Sequence, residues 1–116
     1  MSERGEIGIL NPDGTVDFIY CHWCSGSAWF RHALSERYPS MAKARELIDN
    51  GAISYLGDSA SELKRMHGDW EAVAPRKAKN ARDFWRKTPA SWDIEWRHLL
   101  TPNGWVCRGF KVNLAL

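Results

Sequence analysis

Two four-residue segments constrain the fold of this chain most: Asn11-Pro12-Asp13-Gly14 near its start and Thr101-Pro102-Asn103-Gly104 near its end. In each, proline presets φ for a tight turn and glycine supplies the positive φ that closes it. Alternating residues flank both turns. Ile7 and Ile9 share a face before the first, and Val16, Phe18 and Tyr20 alternate with Asp17, Ile19 and Cys21 after it. Around the second, Ile94, Trp96, His98 and Leu100 alternate with Glu95, Arg97 and Leu99. Trp105 and Cys107 open the last strand on one phase, and Phe110, Val112 and Leu114 continue on the other. That slip predicts a β-bulge at Arg108-Gly109. A β-hairpin is therefore expected at each end.

The middle reads at helical spacing. Phe30, Ala33, Leu34, Arg37 and Tyr38 outline a first helix ended by Pro39. Ser40 caps a second, with the stripe Met41, Ala44, Leu47 and Ile48 and a left-handed stop at Gly51. Residues 53–57 read as a connector. Ser59-x-x-Glu62 matches a capping box for a short third helix over Leu63 and Met66, stopped by Gly68. A fourth is expected over Lys77 to Lys87, with Ala78, Ala81 and Trp85 on one face, broken by Thr88-Pro89. The expected fold class is α+β: an antiparallel sheet from the N- and C-terminal hairpins, packed on two to four central helices, as a single domain over residues 1–116.

The apolar share of 44% supports a folded core rather than disorder. No run of about 18 apolar residues is present, which excludes a membrane-spanning helix. The polar start Met1-Ser2-Glu3-Arg4-Gly5-Glu6 lacks a secretory stretch, so a cytoplasmic protein is expected. Three cysteines are an odd count, and a reducing compartment disfavours disulfides. Seven tryptophans either fill the core or, where exposed, build a binding surface.

The stretch Ile19-Tyr20-Cys21-His22-Trp23, followed by Leu34, Tyr38, Leu47-Ile48, Gly51 and Ser54-x-Leu56-Gly57, resembles a family of small phage and prophage proteins. In that family a strand ending I-Y-C-H-W-D-G-Y leads into a helix ending in tyrosine, then L-I-x-x-G and S-x-L-G. Glu95-Trp96 and Gly104-Trp105-Val106 are similar to its E-Y…G-x-W ending. The likeness covers nearly the whole chain and is weakest over residues 60–92. Cys24-Ser25-Gly26 stands where the family has D-G-Y, and Ala28-Trp29-Phe30-Arg31 replaces a glycine-rich helix start. The resemblance implies a viral or mobile-element origin and a bacterial host cell, and it carries no assigned activity. By association with small phage proteins of this size, it implies an inhibitor of a host defence complex, of the anti-CRISPR kind.

Cys21-His22-Trp23-Cys24 has the C-x-x-C spacing that can share one metal ion or form a redox pair. A structural zinc site needs four ligands. Cys107 and one of His22, His32, His67 or His98 would have to complete it, and neither a second C-x-x-C nor an H-x-x-x-H occurs. Cys24 also replaces the family's acid. These are read as strand-end cysteines, with no metal and no cofactor expected. Cys21 and His22 are adjacent on a strand and point to opposite faces, so they cannot act as nucleophile and base. Asp17, Glu36, Asp49 and Glu95 would pair only through tertiary accident. With no phosphate loop or dinucleotide fingerprint either, an enzymatic or zinc-binding domain ranks third.

Charge supplies the stronger hint. Residues 1–62 hold five Lys/Arg against nine Asp/Glu, while residues 63–116 hold eleven against five. Six of those basic residues fall in 76–87: Arg76, Lys77, Lys79, Arg82, Arg86 and Lys87, beside Phe84 and Trp85. On one helix, Lys79, Arg82 and Arg86 would share a face. The bland reading is an amphipathic helix with Trp85 buried and its charges solvated. The functional reading is a contact for a host protein or ribonucleoprotein complex, joined by Trp23, Trp29 and Arg31 of the loop after the first hairpin. The alternative is direct nucleic-acid binding by the same segment.

Overall fold

The first hairpin forms as its turn dictates: β1 (Gly5–Leu10) pairs antiparallel with β2 (Val16–Cys21), Leu10 opposite Val16. The structure, a computed structural model, describes residues 4–57, 62–86 and 94–109. Helix α1 (Ala28–Arg37) starts where Ser27 accepts a hydrogen bond from the Phe30 amide, and α2 (Met41–Asp49) starts where Ser40 accepts one from Lys43. Asn50 closes α2, and Gly51 follows at φ +85°, a conformation that a side chain would strain. The second hairpin, β6 (Trp96–Thr101) with β7 (Gly104–Gly109), keeps uninterrupted register from Thr101↔Gly104 to Trp96↔Gly109. No bulge interrupts that pairing at Arg108-Gly109. Phe110, Val112 and Leu114 lie outside the described residues.

The centre of the chain departs from expectation. Ile53–Tyr55 is strand β3, parallel to β2, with the Ile53 and Ser54 carbonyls accepting from the His22 and Trp23 amides at 3.0 Å. Lys64–Arg65 is strand β4 against β3. The predicted third helix is therefore absent at that position, and Ser59 lies outside the described residues. A single turn, α3 (Trp70–Val73), follows Gly68 instead. The predicted basic helix is two elements. Arg76–Ala78 is strand β5, antiparallel to the first half of β2, and only Ala81–Arg86 is helical, as α4. The break has a local cause: Asn80 turns the chain, its side-chain oxygen accepting from the Asp83 amide at 2.8 Å. Ala78 sits opposite Val16 and is buried against Phe84.

The sheet is mixed rather than antiparallel. Its order is β4-β3-β2-β1-β6-β7, with β5 also on β2, and β1 runs parallel to β6. Periodicity reveals which face a side chain takes, but not the direction of its neighbour. One face carries Ile7, Ile9, Ile19, Cys21 and Leu100 and is covered by Phe30, Leu34, Leu47 and Ile48 of α1 and α2. Trp105 on β7 ties down the end of α1 by donating to the Tyr38 carbonyl at 2.9 Å. A Cβ on Gly26 would collide with the Trp96 ring, which explains the glycine in that loop. The other face carries Val16, Phe18 and Leu99 beneath Phe84.

On that second face, Glu6 and Arg97 stand opposite one another in the β1–β6 pairing. Both are buried, and Arg97 Nε donates to Glu6 Oε1 at 2.8 Å. The guanidinium lies 5.8 Å from the Phe84 ring centre and also donates to the Trp85 carbonyl. Removing one partner strands a buried charge, so Glu6→Leu is expected to cost about 3–5 kcal/mol in urea unfolding. The double variant Glu6→Leu with Arg97→Met should recover most of that loss. Additive losses would show that the pair does not act as a unit.

Candidate binding surfaces

The basic segment reaches the surface from two elements. Arg76 and Lys79 are exposed at the start and just past the end of β5, and Arg82 and Arg86 project from the outer side of α4. None of these four makes an ion pair among the described residues. Lys79 precedes the helix, so it does not continue a helical row with Arg82 and Arg86. Lys87 lies outside the described residues. Lys77 is committed elsewhere, 3.3 Å from Asp17, which also accepts from Arg45 and Asn11. Partial burial raises the Asp17 carboxyl, and its hydrogen bonds to Arg45, Asn11 and Lys77 outweigh this and hold it below the ordinary value.

Trp85 is half-buried beside Phe84, with ring centres 5.3 Å apart, and the Arg108 guanidinium lies 4.4 Å over its ring. Arg108 comes from β7, and the sequence marked it only as an expected bulge position, not as a contact residue. Nothing local marks it as one, because its place beside the basic segment depends on α4 crossing the sheet. By register Arg76 shares its face with Phe18, and Arg108 shares its face with Arg97. Arg76, Arg82, Arg86 and Arg108 are thus gathered on the side of the sheet that α4 covers.

The loop after β2 distributes its residues differently. Trp23 is 50% exposed and borders a notch of about 370 Å³ with Ser54, Tyr55 and Lys64. Its ring stands edge-on to His22, whose Nδ1 is 2.9 Å from the Tyr20 hydroxyl. Trp29 is equally exposed on α1, with the Arg37 guanidinium 5.9 Å from its ring. Trp29 and Arg31 belong to the helix on the opposite side of the sheet from α4. The structure does not merge them with the basic segment into one patch. Sequence reading also passed over Trp70, 51% exposed beneath Arg65, and Tyr55.

Arg31 rims a cleft of about 450 Å³ lined also by His98 and Cys107. Cys107 Sγ is 3.9 Å from His98 Nε2, but that nitrogen donates to the Ser25 carbonyl at 2.8 Å. Burial pushes His98 down to about 4, and burial likewise raises the Cys107 thiol. The pair is a neutral thiol beside a neutral imidazole, not an activated nucleophile. Cys21 and Cys24 are fully buried. Among the described residues, no group of three or more His, Cys, Asp or Glu is placed to hold a metal ion. Asp17 and Asp49 face Arg45, and Glu36 lies 2.6 Å from the His32 imidazole. No helix among the described residues is long and apolar enough to cross a membrane. No protein-family model, curated protein or solved structure matches the chain.

The buried imidazole sets a pH dependence. In the unfolded chain it takes up a proton near pH 6.5, whereas in the folded chain it resists to about pH 4. Its contribution is fully present above pH 6.5 and is lost as the pH falls toward 4, a span worth roughly 3 kcal/mol. Urea titrations over this range should show that loss, and His98→Gln should flatten the slope. An unchanged slope would rule out His98 as its source.

Proposed function

We propose that this chain is an accessory protein of phage or mobile-element origin that binds a host protein or ribonucleoprotein defence complex and blocks it sterically, in the cytoplasm of the bacterial host. The observation that carries this reading is the set of exposed arginine and tryptophan side chains held over a buried core, most on strands and helices and Trp23 in the bend that follows β2. Such residues dominate the energetics of protein interfaces, and holding them in place lowers the entropy lost on docking. The strand motif supports it further. Ile19 and Cys21 are buried and serve the core, while His22 is half-exposed and Trp23 stands at the surface. The motif thus ends on an exposed indole, backed by the His22 ring, that the core does not require. Steric blockade needs no chemistry from the chain.

The test is capture from bacterial lysate at moderate salt with a tagged chain, followed by assay of the captured complex with and without added protein. A stoichiometric defence complex whose activity falls on addition supports the proposal. Trp23→Ala and Arg82→Glu/Arg86→Glu are each expected to weaken capture at least tenfold, in line with hot-spot truncations of about 2 kcal/mol or more. Capture unaffected by both variants would remove these residues from the interface. A captured complex that stays fully active would refute the inhibitory role.

A further inference from the structure

Taking as given that the chain acts by binding, we infer that the face formed by Arg76, Lys79, Arg82, Arg86 and Arg108 docks on a single strand of nucleic acid, such as one exposed in a ribonucleoprotein target. Four of these five cations are arginines, whose planar forks match phosphate oxygens in pairs. The arginines come from β5, α4 and β7 and lie on the side of the sheet that α4 covers, with Lys79 exposed just past β5, so the concentration of charge is a product of the fold. Arg82 and Arg86 are one helical turn apart and project from the same side of α4. The charge is not consumed internally: Asp83, inside the segment, makes no ion pair among the described residues, and Asp17 is already occupied by Arg45 and Lys77.

Arg108 decides between single-stranded nucleic acid and other polyanions. Its guanidinium lies 4.4 Å over the Trp85 ring while the residue itself is exposed. The indole backs the guanidinium, and the rest of the side chain is open to solvent. A flat cation supported from beneath is a platform for an unpaired base, whereas bases in a duplex are already stacked. An acidic protein segment would use the positive charge but not the plane. The backbone is therefore held by Arg76, Lys79, Arg82 and Arg86, and a base is stacked on Arg108, with no sequence preference.

The test is fluorescence anisotropy with the full chain and a labelled single-stranded 20-mer, the same sequence as a duplex, and an acidic peptide, from 50 to 200 mM salt. The single strand is expected to bind more tightly than either competitor. Four phosphate contacts predict a log–log salt slope of about −3, or about 50-fold weaker binding across that range. Arg82→Glu/Arg86→Glu should weaken binding more than tenfold and make the slope shallower, with circular dichroism checking that both variants keep their fold. Arg108→Lys keeps the charge and loses the plane, so it should weaken single-strand binding several-fold while leaving the slope unchanged. Equal or tighter duplex binding, or no effect of Arg108→Lys, overturns the single-strand assignment. Absence of oligonucleotide binding by a chain that still captures a host protein complex overturns this inference alone; absence of both overturns it together with the binding reading on which it rests.

Discussion

The buried pair of Glu6 and Arg97 holds the rest of this structure in relation. The two residues are 91 positions apart and meet across the β1–β6 pairing, where the two hairpins become one sheet. A carboxylate and a guanidinium withdrawn from water must find each other in good geometry, because either one alone carries a desolvation penalty of several kcal/mol. That requirement selects the register of β1 against β6. Sliding β1 by one residue against β6 would send Glu6 to the face opposite Arg97 and turn Ile7 and Ile9 away from α1 and α2. The pair also reaches outward: Arg97 contacts Phe84 and the Trp85 carbonyl, so the position of α4 is coupled to the same charge.

From that point the two faces of the sheet take different tasks. The face under α1 and α2 is a conventional apolar core of isoleucine, leucine and phenylalanine. The face under α4 is smaller, and its rim is arginine-rich. A six-residue helix contributes little stability alone and depends on the packing of Phe84 on Phe18, with ring centres 5.4 Å apart. Its outward side is then free to be basic. Asp17 steadies the neighbouring edge by joining the first turn, α2 and β5 through Asn11, Arg45 and Lys77. Loss of a lysine from the available surface charge is the cost of that bracing, which is why Lys77 does not join the proposed contact.

The histidine and cysteines illustrate how burial alters the meaning of a sequence motif. C-x-x-C invites thoughts of metal and redox chemistry, yet both thiols lie within the apolar core. A Cβ at Gly5 would already overlap Cys24, so the thiol packs directly against the β1 backbone. His98 and Cys107, far from that motif in sequence, are the pair that the fold places side by side, and desolvation keeps both neutral.

Local chemistry in the sequence determined the two hairpin turns, the serine caps of α1 and α2, the stop at Gly51, and the alternation that sends Ile7 and Ile9 inward. Each rests on residues within a few positions of one another, where propensity and periodicity carry the information. The basic residues and exposed tryptophans of the candidate surface were legible as residue types, but their arrangement was not. Only tertiary structure turned Arg76–Ala78 into a strand, because the first half of β2 offered open hydrogen-bonding groups to pair with it. It likewise drew Ile53–Tyr55 and Lys64–Arg65 into the sheet, made β1 and β6 parallel, and laid Arg108 on Trp85. Strand partners, their direction and the side chains they bring together depend on contacts between distant segments, and no period within a single segment encodes them.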